Sequence, residues 1–288
     1  MNKTIGILMA GGEGSRLDPL TKSISKHLLP IYDKPMIYYS LSTLMLADIK
    51  NIIIIGMNRD IKIYKKLFGN GKHLGMKIEY KFQSKPRGIA DAFLICEDLI
   101  KNKNVCLCLG DNFFYGNGLS IKLREIKNKN KGASVLTFKV QNPEDYGVLK
   151  FKNNKILDII EKPITKVSNQ AVTGLYFYNK DIIKYAKKLK FSKRNELEIS
   201  DINKMYLKDN KLNYFLLDRG FTWLDAGNPN YLLKAAQFVS IIEERQGLKI
   251  ACIEEIALRN NWIKLKHLKN IALKMKDSNY KKYLLEII

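Results

Sequence analysis

The sequence predicts an α/β fold with a largely parallel sheet and a helical C-terminal appendage. Short β-branched runs alternate with helix-period patterns through the first half, the mark of βαβ units. A glycine loop follows the first apolar run directly, where a parallel strand delivers its loop to a ligand. From Pro229 onward, chain-breaking residues almost vanish and the pattern stays helical.

The elements follow in order. Ile5-Gly-Ile-Leu-Met9 reads as a buried strand, and Pro35 to Ala47 as a helix with proline at its start. Asn51 to Gly56 is a β-branched strand, Asp60 to Phe68 a helix, and Lys77 to Gln83 an alternating strand. Gly88 to Ile100 reads as one helix, and Val105 to Leu109 as a buried strand ending at Gly110-Asp111. Four strand-like stretches follow: Ala133 to Val140, Gly147 to Phe151, Lys155 to Glu161 and Ala171 to Tyr178. A long helix is expected after Glu196, then a strand from Leu212 to Leu217 that leads to Gly220-Phe-Thr-Trp-Leu-Asp225. Without a linker or repeat, the division expected is one domain over 1–240 and a helical segment over 241–288.

Composition narrows the class. A chain of 288 residues, 46% apolar and 27% charged, is long enough to bury its own core without staples. No apolar run approaches the ~20 residues of a membrane span, and no secretory leader is expected at Met1. Cys96, Cys106, Cys108 and Cys252 form no C-x-x-C pair, and the 3 histidines are far apart, so free thiols in a reducing cytoplasm fit better than zinc or disulfides. The net charge of +22 comes from 50 basic against 28 acidic residues. Lysine supplies nearly all of it, spread evenly, whereas nucleic-acid readers favour arginine. A solvated lysine surface is therefore expected, without nucleic acid or membrane as partner.

Five places carry chemistry. Ala10-Gly-Gly-Glu-Gly-Ser-Arg-Leu17 sets backbone N–H groups around an anion, with Arg16 and Lys26 close beyond; two cations on one loop suit a polyphosphate. It is neither G-x-G-x-x-G nor a P-loop. Asp111-Asn112, at the carboxyl end of a strand, and Trp223-Leu-Asp225-Ala-Gly227 each aim a carboxylate at the ligand edge of an α/β sheet. Two such carboxylates would hold Mg²⁺, which takes few protein ligands; singly, each aspartate also fits a cap or a turn. Ile160-Glu-Lys-Pro163 could present Lys162 to a second phosphate or be an ordinary strand exit. Asp145-Tyr-Gly147 could seat a sugar on its ring or serve core packing.

Taken together, Gly11-Gly-x-Gly-Ser-Arg16, Ser25-Lys26, Leu29-Pro30, Lys34-Pro35-Met36, Gly110-Asp111, Tyr146-Gly147, Glu161-Lys-Pro163 and Trp223-Leu-Asp225 resemble the sugar-1-phosphate nucleotidyltransferases. Longer strings, such as Leu28 to Tyr39, Ala171 to Tyr178 and Ile242 to Leu248, resemble the branch that joins dTTP to glucose 1-phosphate. The resemblance implies a three-layer αβα, Rossmann-like nucleotidyltransferase (GT-A-like) fold with a mixed, mostly parallel sheet. It implies in-line attack of the sugar phosphate on the α-phosphorus. It also implies Mg²⁺ on Asp111 and Asp225, Arg16 and Lys26 on the triphosphate, and Lys162 on the sugar phosphate. Met9, Gly11, Gly12 and Gly14 would line the nucleotide, and Gln83 and Gly88 would read the thymine edge. Asn112, Tyr146, Gly147, Glu161, Val172 and Trp223 would surround the sugar. A homotetramer, as a dimer of dimers, is implied, with a regulatory nucleotide site at Tyr115, Gly116, Lys249, Glu255, Ile256 and Arg259, although Asn117 stands where a histidine is usual.

Three departures bear on chemistry. Met9 for leucine is mild. His27 replaces a glutamine beside Lys26, which predicts pH-sensitive activity below about 6.5. Arg87 replaces an aspartate and Asp91 a glutamine around Gly88; the swap either alters nucleobase or ribose selection or forms a local helix pair at i,i+4, weak in energy, and the pair is the favoured expectation. The competing readings are the same chemistry on UTP or another hexose 1-phosphate, a catalytically dead nucleotide-sugar sensor, and a nucleic-acid binder. The intact Arg16, Lys26, Asp111, Lys162 and Asp225 argue against the sensor.

Overall fold

The computed structural model describes residues 4–153 and 155–288. The first half contains β1 Ile5–Ala10, β2 Pro30–Ile31, β3 Lys34–Pro35, α1 Ile37–Leu46, β4 Asn51–Gly56, α2 Asn58–Phe68 and β5 Lys77–Phe82. Next come α3 Asp91–Ile95, α4 Glu97–Ile100, β6 Val105–Leu109, β7 Asn112–Gly116, α5 Leu119–Lys129, β8 Ala133–Lys139, β9 Gly147–Lys152 and β10 Lys155–Glu161. The remainder is β11 Gln170–Tyr178, α6 Ile182–Ala186, α7 Ile199–Lys208, β12 Leu212–Leu217, β13 Phe221–Asp225, α8 Pro229–Gln246, α9 Ile253–Arg259, α10 Leu265–Lys274 and α11 Asn279–Glu286.

Nine strands form the central sheet in the order β10-β9-β11-β6-β1-β4-β5, with β8 joined to β11 and β12 to β8. β1 pairs in parallel with both β4 and β6, and β4 with β5. β11 reverses direction against β6, β8 and β9, and β10 reverses against β9. The other seven strands of the nine therefore share one direction. β1, the innermost strand of the parallel part, is buried along its whole length. Its alternating side chains face two cores: Leu8 and Ala10 pack with α1, α2, α5 and α9, while Ile5, Ile7 and Met9 pack with α3, α6 and α7. That alternation makes the three layers, because both faces of a parallel sheet must be covered.

A second pair of strands, β7 and β13, runs antiparallel with Asp225 opposite Asn112. It stands at the carboxyl end of β6 and carries both predicted aspartates to one place. Helix α8 begins as its sequence predicts, with Pro229 in the first turn and the Asn228 side chain capping the backbone N–H of Tyr231. Among the described residues, no helix is long and apolar enough to cross a membrane.

Several boundaries differ from the sequence reading. Proline 35 lies in β3 and the helix starts at Ile37, because the 30–35 segment first closes a two-stranded hairpin. The helix expected over 88–100 is two short ones, broken at Cys96. Its first residues stay outside because Gly88 has φ +96° and the backbone there bonds to Leu197 instead. β7, α5 and α6 stand where the sequence reading assigned no element.

Candidate active site

The glycine loop leaves β1 at the centre of the sheet and turns through Gly12 and Gly14, both at positive φ (101° and 69°). A side chain at Gly14 would strike Thr21, whose hydroxyl donates to the Gly14 carbonyl at 3.0 Å. Backbone N–H groups can therefore face a ligand without side-chain obstruction. Lys26 is set by a buried chain of hydroxyls. Tyr64 donates to the Ala10 carbonyl at 3.1 Å, and Ser25 bonds to Tyr64 at 2.9 Å and to the His27 Nδ1 at 3.2 Å. This network ties the 25–27 segment to the end of β1.

The Lys26 ammonium lies 2.5 Å from the Asp111 carboxylate. Asn112 donates to the other Asp111 oxygen at 3.1 Å. Burial pushes the Asp111 carboxyl up, but the Lys26 charge, the neighbouring His27 and the hydrogen bonds from Lys26 and Asn112 together outweigh it and hold the group below the usual carboxylate range. Asp225 behaves oppositely. Burial and the nearby Asp111 charge raise it from 3.8 to about 6, against Arg16 and Lys26. Arg16 reaches the same spot: a Cβ at Gly227 would lie 2.6 Å from its Nη2 and 2.9 Å from the Asp225 Oδ1. Gly227 therefore leaves room between the guanidinium and the carboxylate, and its N–H donates to Asp225 at 3.1 Å.

Asn112 is the hub behind these groups. Its Oδ1 accepts from the Gly174 N–H at 2.9 Å and from the Trp223 indole at 2.6 Å. Trp223 packs on Tyr146 with ring centroids 5.0 Å apart. Asn112, Tyr146, Gly147, Glu161, Val172, Trp223 and Asp225 line one cavity of about 130 Å³. A Cβ at Gly147 would come within 2.9 Å of the Glu161 carboxylate, so only glycine lets that group reach in. Lys162 is not in this cavity. It borders a neighbouring one of about 410 Å³, shared through Glu161 and lined also by Arg194. Arg194, held by Glu198 at 2.8 Å, is a cation that no motif marked; its i,i+4 glutamate was the available signal.

Gln83 follows β5 and is buried beside the glycine loop. Its Oε1 stands 3.6 Å from where a Cβ at Gly11 would be. Gly88 is locked by Leu197, whose carbonyl would sit 2.5 Å from any Cβ there. Arg87 and Asp91 do approach, at 3.9 Å, yet not as a surface helix pair: Arg87 precedes α3, and Asp91 is buried against Gln83.

The pH sensitivity expected of His27 is overturned. Its ring is buried, and burial first, then the Lys26 charge, lowers its pKa to about 3. It is neutral throughout the physiological range and serves packing and hydrogen bonding.

Tyr115, Gly116, Lys249, Glu255, Ile256 and Arg259 line a single cavity of about 600 Å³ away from these groups. Three of its charges are engaged: Lys249 with Asp33 and Glu243 at 2.5 and 2.9 Å, and Glu255 with Arg259 at 2.6 Å.

Comparison with known proteins places this geometry. The sequence profile described as "Nucleotidyl transferase" matches residues 5–241. A glucose-1-phosphate thymidylyltransferase of Neisseria meningitidis serogroup A / serotype 4A is 48% identical over 98% of this chain and 99% of its own. One from Mycobacterium tuberculosis is 46% identical over 98% of each chain. Among solved structures, a candidate glucose-1-phosphate thymidylyltransferase from Bacillus anthracis, in complex with sucrose, superposes with TM-score 0.76. It is 40% identical, over 82% of this chain and 94% of that one. A UDP-glucose pyrophosphorylase complexed with UDP-glucose gives TM-score 0.73 at 25% identity, over 85% of this chain and 100% of that one.

Proposed function

The chain belongs to the nucleotidyl transferase family, and from that footing we propose that it transfers the thymidylyl group of dTTP to glucose 1-phosphate, releasing pyrophosphate. The observation that carries this reading is the convergence of Arg16, Lys26, Asp111 and Asp225 on the glycine loop, in a chain nearly coextensive with enzymes of that activity.

In this reading the glycine loop, Arg16 and Lys26 hold the triphosphate and take up the charge that develops on the leaving pyrophosphate. The hexose sits in the cavity of Tyr146, Gly147, Glu161, Val172 and Trp223, and Lys162 grips its phosphate from the rim. A phosphate oxygen of glucose 1-phosphate then attacks the α-phosphorus in line, the P–O bond to the β-phosphate breaks, and pyrophosphate departs with that electron pair. No side chain forms a covalent intermediate. Positioning and charge neutralisation supply the rate.

Asp111 and Asp225 fit a divalent cation. One is buried and one half-buried, and Asp225 is raised first by desolvation and then by the Asp111 charge, a repulsion that a cation relieves. No cluster of three or more ligating side chains occurs among the described residues, which suits Mg²⁺ completing its shell with phosphate and water. Bound there, Mg²⁺ would neutralise the triphosphate and the developing charge.

We extend the same reading to a homotetramer, with the 600 Å³ cavity as a second nucleotide site. Light scattering tests the first and competition by a thymidine diphosphate sugar the second. Pyrophosphate release with Mg²⁺ and glucose 1-phosphate, compared across dTTP, UTP, CTP, ATP and GTP, tests the main reading. Preference for dTTP is expected. Preference for UTP would keep the mechanism and move the substrate, and no release with any nucleotide would overturn it.

A further inference from the structure

Gln83 is an amide whose two ends are chemically opposite. Its Nε2 points at two acceptors at once, the Gly88 carbonyl at 3.2 Å and the Asp91 carboxylate at 3.0 Å. An ionised carboxylate can only accept, as can a carbonyl, so neither tolerates the amide oxygen in that place. The –NH₂ end is therefore turned inward. The Oε1 end is left above Gly11, on the nucleotide side of the loop, and meets no protein donor among the described residues. Asp91 is itself fixed by burial in the first turn of α3 and by Arg87 at 3.9 Å.

We propose that Asp91 is a specificity-determining positioning residue: it locks the Gln83 amide so that only an acceptor faces the base. The proposal rests on the nucleotidyl-transfer reading given above. A base that presents a ring N–H, as thymine and uracil do at N3, donates to the Gln83 Oε1. Cytosine carries an unprotonated N3 at the same place and sets lone pair against lone pair. The lock is blind to the 5-methyl group, so it selects the class of base and leaves thymine against uracil to other contacts. A freely rotating amide would serve either class at little cost; a charged acceptor behind it removes that choice.

The test is the ratio of kcat/KM for dTTP to that for dCTP, with glucose 1-phosphate and Mg²⁺, in wild type, Asp91→Asn and Asp91→Ser. The new side chains remove the charged acceptor and can themselves donate to the amide oxygen, so only the Gly88 carbonyl still opposes the flip. The ratio cancels differences in active fraction, so a partly folded preparation still reports. In wild type the ratio is expected to be large. In the variants it falls about tenfold or more, through a raised KM for dTTP and measurable turnover of dCTP, with kcat for dTTP little changed. A merely structural role would depress both nucleotides by one factor and leave the ratio where it was. That result overturns the proposal, as does failure of both variants to fold. A wild type that turns over dTTP and dCTP alike overturns the lock but keeps the transfer activity. A wild type that turns over no nucleotide overturns the transfer reading itself.

Discussion

The Lys26 ammonium and the Asp111 carboxylate meet at 2.5 Å although 85 residues separate them in sequence. The contact makes the two predicted metal carboxylates unequal. Asp111 has a cation and Asp225 has mostly burial and its neighbour's negative charge. Neutralising them should therefore have opposite effects on the protein without metal. Asp111→Asn strands a half-buried ammonium and should lower the melting temperature, by about 1–3 kcal/mol of stability. Asp225→Asn removes a repulsion and should raise it. Both should lower kcat about a hundredfold or more. Thermal melts in chelator, beside pyrophosphate-release kinetics, check this; melts that shift in the same direction, or wild-type turnover by either variant, would refute it.

Acid should act with opposite sign on half-buried Asp225 and buried His27. Asp225 has its pKa raised from 3.8 to about 6, so the native state binds a proton more tightly than the unfolded state, and stability falls as pH rises through that window. His27 has its pKa lowered from 6.5 to about 3, so the unfolded state takes the proton first, and stability falls as pH drops below 6.5. At pH 5 the histidine alone should cost about 2 kcal/mol. Urea denaturation at pH 7.5 and 5.0 should show His27→Gln with a smaller acid loss than wild type, and Asp225→Asn with a larger one. The activity profile of His27→Gln should match wild type between pH 6 and 8, since the ring is neutral throughout.

What was legible in the sequence was the machinery that repeats locally. β1, β4 and β6 were readable because buried parallel strands are nearly unbroken apolar runs. Arg16 and Asp111 stood out because each follows such a run within a few residues, and Lys26 and Asp225 because of the motifs around them. Residues that act through distant partners were not. Arg194 reaches the site edge by a loop, and Asp91 looked like half of a surface pair until the fold placed Gln83 against it. His27 looked titratable because burial is a property of the folded chain. β7 has almost no period, since its strand is defined by pairing with β13, more than a hundred residues later.

Gly110 should be intolerant of any side chain. A Cβ there would stand 2.5 Å from the His27 Cδ2 and 2.6 Å from the Met9 carbonyl. The carbonyl belongs to β1 and cannot move, and the ring is held by Ser25 at 3.2 Å. Gly110→Ala should cost about 1–3 kcal/mol by overpacking and shift Lys26 and Asp111 apart. Denaturation midpoint and KM for dTTP should worsen together. A variant with both unchanged would mean the 25–27 segment is looser than its hydrogen bonds indicate.

Lys34 tests how the C-terminal helices are attached. It is buried in β3, paired with Asp33 and with Glu243 of α8 at 3.2 Å, and Lys249 closes the cluster on the same two acids. Its ammonium also lies 5.6 Å from the Tyr39 ring centroid and 5.7 Å from that of Tyr280 in α11. Glu243 accepts as well from the Ile250 N–H at 2.9 Å, at the turn into α9. Four charged groups thus join β3, α8 and the chain beyond it. Lys34→Met leaves Asp33 and Glu243 to share the single cation of Lys249, so it should cost about 3 kcal/mol. Double replacement Lys34→Met with Glu243→Leu should recover much of that loss, because an apolar pair of similar volume carries no stranded charge. Hydrogen exchange should show the single variant opening first at α8 and α11. Equal loss in the single and double variants would mean that the acids are solvated by water and the cluster contributes little to the attachment.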